Sequence, residues 1–315
     1  VSTSRTRSLV DGVLEASVVG SFSRLGPALR RRLEHWTPLE AMEGRTVLVT
    51  GATSGLGLAG AARLAQLGAR VIGVGRSERA LAELRGRLGE RGEAWRCDLA
   101  DLEQVDALAA RAGELGGVDV VIHNAGALLA QFTTTPQGVE TTLAVHLLAP
   151  YVLTTAWREW AQPPGRTILM TSGGLYTQRL ELSRLEASAE HYRGATAYAR
   201  AKRAQVTLVA AWQHRAKGDE RYYAVHPGWA ATPGVATALP RFDRLTGALL
   251  RTPAQGVDGA LWLATRAEPA PGGGLWLDRA PRPAHRSSLT RRADDAGDEV
   301  ALLAWLDERV SRARR

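Results

Sequence analysis

From residue 45 onward the chain repeats one pattern, a short apolar run followed by a longer stretch of helical period. "RTVLVTG" (45–51), "ARVIGVG" (69–75), "VDVVIHN" (118–124), "RTILMTS" (166–172) and "YYAVHPG" (222–228) read as strands. "EAWRCDL" (93–99) and "GGLWLD" (273–278) are weaker candidates. Between them, segments such as "LGLAGAARLAQLG" and "LADLEQVDALAARAGELG" space their apolar residues as helices do. Strands that are apolar at nearly every position must be covered on both faces, and the intervening helices supply the cover. The pattern predicts an α/β fold with a doubly wound parallel sheet of about seven strands, within residues 44–278.

Two extensions flank this unit. Residues 1–43 read as helical pieces punctuated by Pro27 and Pro38. Residues 279–315 read as an extended linker, "DRAPRPAHRSSL", and a closing helix with Val300, Leu303, Leu306 and Val310 on one face. The lone cysteine, Cys97, excludes an internal disulfide framework and a cysteine-rich zinc site. No apolar run approaches the roughly 20 residues of a membrane span. Asp11 and Glu15 interrupt the N-terminal apolar stretch, so it does not read as a signal peptide, and a cytoplasmic protein is expected. The net charge of +8 suits either a solvated arginine-rich surface or an anionic partner. Its basic clusters lack the aromatic interleaving of a nucleic-acid reader, so nucleic acid is not expected.

The first strand runs through "TGATSGLG", Thr50 to Gly57, directly into a helix. Glycines at 51, 55 and 57 let the backbone turn sharply and approach a pyrophosphate at the helix N-terminus, as in a Rossmann-type dinucleotide site. A tight structural turn is the alternative reading. The second strand ends in Gly75 and Arg76, with no acid at its tip to hold a ribose 2′-hydroxyl. A guanidinium there can pair with a 2′-phosphate, so NADP(H) is expected over NAD(H).

Forty residues are Lys or Arg, yet only Lys202 and Lys217 are lysines. Lys202 stands four residues after Tyr198, on one face of a predicted helix. A tyrosine with a pKa of about 10 is a poor proton donor or acceptor at neutral pH, and a nearby ammonium is expected to lower that pKa. Lysine also offers three donors from a compact head, enough for both hydroxyls of a ribose, where arginine's planar fork suits carboxylates and phosphates.

"TGATSGLG", "HNAG" (123–126), Thr171–Ser172 before "GG", "YARAK" and "HPG" (226–228) resemble, in order and spacing, the short-chain dehydrogenase/reductases. "TSGGLYTQRL", "YARAKRAQ", "HPGWAATPGV" and "LDRAP" look like the dehydrogenase/reductase member 12-like subgroup, near the retinol-dehydrogenase type. The resemblance implies a catalytic set of Ser172, Tyr198 and Lys202, with His146 where the family usually has an asparagine. That asparagine supports a helix irregularity and a proton relay; His146 either preserves the relay or is a core residue. The implied cofactor set is Gly51, Ser54, Gly55, Leu56 and Gly57, then Arg76, Asp98 and Leu99, then Asn124, Ala125 and Gly126, and finally Tyr198, Lys202, Pro227, Gly228 and Thr232. Asp98 would meet the adenine and Thr232 the carboxamide; the plain alternatives are a helix N-cap and a loop residue. No metal ligand is implied. Association into homo-oligomers through helices beside the active site is a further implication.

The expected activity is hydride transfer between nicotinamide and a small-molecule carbonyl or alcohol. A catalytically weakened NADP(H)-binding sensor or scaffold is the alternative. Trp229, Leu239, Phe242, Leu245 and Leu249 would give an apolar lid and a lipophilic substrate, or would pack together as core. The basic N-terminal extension adds the reading of peripheral contact with an anionic membrane.

Overall fold

The computed structural model describes residues 10–159, 165–232, 244, 246–290 and 295–315. Leu239, Phe242 and Leu245 of the expected lid lie outside them. The strands are β1 (Thr46–Thr50), β2 (Arg70–Gly75), β3 (Gly92–Arg96), β4 (Val120–His123), β5 (Arg166–Met170), β6 (Arg221–Val225), β7 (Leu275–Leu277) and β8 (Ala280–Arg282). They form one sheet in the order β3-β2-β1-β4-β5-β6-β7-β8, parallel except for the β7–β8 pair. The strand order reverses between β1 and β4, and a crevice at such a switch point is where doubly wound sheets bind ligands.

Each face of the sheet is sealed by its own apolar layer. Val47, Val49 and Val71 point toward the helices Gly55–Gln66, Glu78–Leu88 and Pro253–Thr265. Leu48, Ile72 and Val121 point toward Leu102–Gly113, Ala149–Glu159 and Gly194–His214. The alternation follows from the period of two along each strand. Local chemistry fixes the helix starts. Ser77 accepts from Ala80, and Thr252 and Gln255 form a reciprocal capping box before Pro253.

Two expectations change, and one alternative reading, Asp98 as a helix cap, does not hold. The sheet has an eighth strand, lying in the stretch expected to be an extended linker. Its hairpin turn is made by Asp278 and Arg279, both with positive φ (52° and 61°), as a tight two-residue hairpin requires. In the closing helix, Asp295–Ala313, Val300 is 61% exposed, and Leu302 is buried in its place beside Leu303, Leu306 and Val310. That helix packs on Gly194–His214 and is fixed by Tyr151 donating to Asp307 at 2.6 Å. Asp101, rather than Asp98, caps the helix Leu102–Gly113, accepting from Glu103 N.

No helix among the described residues is long and apolar enough to cross a membrane.

Candidate active site

The carboxyl ends of β1, β4, β5 and β6 bring the expected residues to one side of the sheet. After β1, Gly51 (φ 64°) turns the chain, and a Cβ there would stand 2.8 Å from Ala125 Cα. A Cβ on Gly57 would lie 2.2 Å from Gly51 O and 2.4 Å from Asn124 Nδ2. The two segments therefore touch through backbone. Asn124 stitches them, its Nδ2 donating to Thr50 O at 3.1 Å and Gly51 O at 3.2 Å. Thr50 Oγ1 accepts from both Asn124 N and Ala125 N at 3.1 Å, a role the sequence reading did not assign. Gly55 also has positive φ (53°), and Ser54 N-caps the helix Gly55–Gln66 without a side-chain bond. Leu56 packs toward Gly256, whose absent Cβ leaves it room. The result is a cradle of backbone at a helix N-terminus, which fits a dinucleotide pyrophosphate.

At the adenosine end, Gly75 closes β2 against Thr53, and Arg76 is 73% exposed. Arg76 Nη1 stands 3.9 Å from Asp98 Oδ2, so both expected residues reach the same place. Asp98 also accepts from Ala100 N at 3.0 Å, while Leu99 is buried. The screened, open pair leaves the guanidinium accessible to a stronger anion.

On the nicotinamide side, Ser172 follows β5 with its Oγ accepting from Gly174 N at 3.3 Å. Tyr198 lies on the helix Gly194–His214. Burial raises its pKa, partly opposed by a hydrogen bond with Ser172. The expected depression by an ammonium is not found, because desolvation of the phenol itself outweighs the hydrogen bond. Lys202 is 3% exposed, and burial brings it down to about 7. Its Nζ donates to Met170 O at 2.6 Å and sits 5.4 Å from the Tyr198 ring centroid. Thr171 Oγ1 donates to Lys202 O at 2.9 Å, tying this helix to β5.

His146 lies in a π-helical turn, Ala144–Leu148, so the helix irregularity is present with histidine at this position. Its ring meets that of Tyr198 edge-on at 5.1 Å between centroids. Its Nε2 lies 3.0 Å from Ala127 N and 2.9 Å from Ala127 O. Burial, with the Lys202 charge adding to it, holds His146 well below the usual histidine range, hence neutral. Gly126 fits only because it lacks a Cβ, which would stand 2.8 Å from His146 Cε1. The His146 carbonyl accepts from Gln205 Nε2 at 2.8 Å, so Gln205 is another residue the sequence reading missed.

After β6, Gly228 (φ 72°) donates its N–H to His226 Nδ1 at 2.8 Å, and a Cβ there would strike Arg251. Pro227 is buried beside it, and Thr232, at the end of this described segment, is half-buried.

A glycine cradle at a sheet's switch point, followed by a serine hydrogen-bonded to a tyrosine and a buried lysine under that tyrosine's ring, defines a dinucleotide-dependent oxidoreductase. The chain belongs to the short-chain dehydrogenase/reductase family, whose model, described as short chain dehydrogenase, matches residues 45–241. It is 34% identical over 279 residues to dehydrogenase/reductase SDR family member 12 of Bos taurus, covering 85% of this chain and 87% of that one. It is 36% identical over 279 residues to a Streptomyces sp. (strain C5) protein whose name proposes daunorubicin C-13 ketoreduction, covering 86% and 93%. A crystal structure from Mycobacterium Paratuberculosis superposes with a TM-score of 0.71 at 27% identity, covering 89% of this chain and 97% of that one.

Proposed function

We propose that the protein is an NADP(H)-dependent oxidoreductase that reduces a lipophilic ketone or aldehyde, or oxidises the corresponding alcohol. The observation that carries the reading is the Ser172–Tyr198–Lys202 succession, with Lys202 buried beneath the Tyr198 ring. Gly51, Ser54, Gly55, Leu56 and Gly57, with Asn124, Ala125 and Gly126, would hold the pyrophosphate and nicotinamide halves of the cofactor. Asp98 and Leu99 would flank the adenine, and Pro227, Gly228 and Thr232 the nicotinamide. NADPH supplies the hydride when bound.

Tyr198 keeps its proton at neutral pH because burial raises its pKa, so the phenol is ready to protonate a developing alkoxide. Ser172 holds the carbonyl oxygen through its hydroxyl. Lys202 would hold the nicotinamide ribose, and His146, neutral and edge-on, positions the Tyr198 ring. This protonation state favours the reductive direction. NADP rather than NAD is supported by Arg76, exposed at the end of β2 with no competing acid at the strand tip. The ketoreduction named for the Streptomyces relative supports an apolar carbonyl substrate. The test is NADPH oxidation with apolar ketones and aldehydes, with Tyr198→Phe run in parallel.

A second observation favours contact with an anionic lipid surface. Among the described residues, five of the six exposed large hydrophobic side chains fall between 13 and 29: Val13, Val18, Val19, Leu25 and Leu29. Arg24, Arg31 and Arg32 are exposed beside them. Exposed apolar side chains with exposed arginines close by in sequence suit the boundary between acyl chains and anionic headgroups. A homo-oligomer would use a surface other than the face of Gly194–His214 that the chain's own closing helix covers.

A further inference from the structure

While the outer side of the N-terminal extension is exposed, its inner side is not. Phe22 is 3% exposed. Its ring lies 4.4 Å from the imidazole of His226 and 6.1 Å from the rings of both Tyr176 and Trp229. Gly173, the residue after Ser172, would carry a Cβ 2.8 Å from His226 Nε2 and 3.2 Å from Phe22 Cε2. Phe22 thus backs the segment after β5 that bears Ser172 and the segment after β6 that bears Pro227 and Gly228. The backbone makes the same link. Phe22 O accepts from Trp229 N at 2.7 Å and from Arg251 Nε at 2.9 Å, and Arg24 N donates to Leu249 O at 2.9 Å.

A buried charge network seats this wedge. Arg251, 1% exposed, grips Asp278 through both terminal nitrogens and donates to Ser21 O at 2.6 Å. Arg30, equally buried, reaches the same Asp278 carboxylate and also Asp11 and Glu15 at 2.7 Å. Arg286 donates to Glu15 at 2.8 Å and lies 4.6 Å over the Phe22 ring. Withdrawing the extension would remove Arg30 from Asp278, a carboxylate 3% exposed, so the ion pairs favour the seated position.

We infer that Phe22 is a positioning residue for the substrate half of the site. Held by the Arg30–Asp278–Arg251 network, it fixes Gly173 and Trp229, and so the place where Ser172 meets a substrate oxygen. The inference rests on the oxidoreductase reading, and one arm of its test does not require turnover.

The experiment compares the full chain with Phe22→Ala and Phe22→Leu, by amide hydrogen exchange and by steady-state kinetics. In the alanine variant, amides of 171–177 and 226–232 should exchange about tenfold faster, with 50–57 unchanged. The same variant should lose about tenfold or more in kcat/KM for an apolar ketone, with NADPH Kd within about twofold of the parent. Leucine should restore most of both. Because leucine fills most of the volume, it is read in the same way at smaller amplitude should the alanine variant fold poorly. Exchange that quickens only around residue 22, or uniformly along the chain, with kcat/KM unchanged, overturns the inference. A parent protein that turns over no carbonyl defeats the oxidoreductase reading instead, and exchange at 171–177 and 226–232 still decides the role of Phe22.

Discussion

Lys202 Nζ donates to Met170 O at 2.6 Å while standing 5.4 Å from the centroid of the Tyr198 ring. One buried amine thus joins the end of β5 to the proposed proton donor. Its burial has a measurable consequence for stability.

Burial brings the folded pKa of Lys202 from 10.5 to about 7. Between those values the unfolded chain binds the proton and the folded chain does not. Stability must therefore rise with pH across this window, and the contribution is lost as pH falls toward 7. Denaturant titrations of the cofactor-free protein at pH 7, 8 and 9 should show that rise. Lys202→Met should flatten it, and an unchanged slope would contradict the buried-lysine account.

Gly57 lies closest to other backbone in the cradle, 2.2 Å separating its absent Cβ from Gly51 O. Gly57→Ala must push the turn away from Asn124. NADPH affinity should fall by about 100-fold, the scale expected when a phosphate-binding backbone is displaced by roughly an ångström. Isothermal titration checks it, and affinity within threefold or so of the parent would remove the cradle from the cofactor site.

Arg76 should set cofactor choice. Arg76→Asp replaces the guanidinium with a carboxylate that repels a 2′-phosphate and can accept from a ribose hydroxyl. The ratio of NADPH to NADH affinity should drop by at least about tenfold, equivalent to one charge-assisted hydrogen bond. An unaltered ratio would place the phosphate elsewhere.

Much of this was readable from residue order. Continuous apolar runs mark five strands because a sheet covered on both faces needs them, β3 and β7 read only as weaker candidates, and glycine spacing marks the cradle because backbone contact tolerates no Cβ. The spacing of Tyr198 and Lys202 put them on one helical face. What escaped was chemistry that depends on distant partners. β8 is three residues long and contains Pro281, and its turn is built by Asp278 and Arg279 rather than glycine, so it reads as linker. Phe22 and Arg251 meet across 229 positions, with no local pattern to announce it. The sign of the Tyr198 shift also depended on burial, since desolvation outweighed the hydrogen bond from Ser172. Val300 shows the limit of helical period, which gives the face to within about one residue and here chose the exposed neighbour of the buried position 302.

Hydride chemistry at this site, with Tyr198 as its acid, is open to direct test. The most direct measurement is NADPH oxidation against a panel of apolar ketones and aldehydes, with Tyr198→Phe alongside. Turnover in the parent is expected, with a loss of about 100-fold or more in kcat for the variant and NADPH affinity retained, as removal of a general acid implies. Turnover undiminished in Tyr198→Phe, or NADPH bound tightly with no carbonyl reduced, would contradict it.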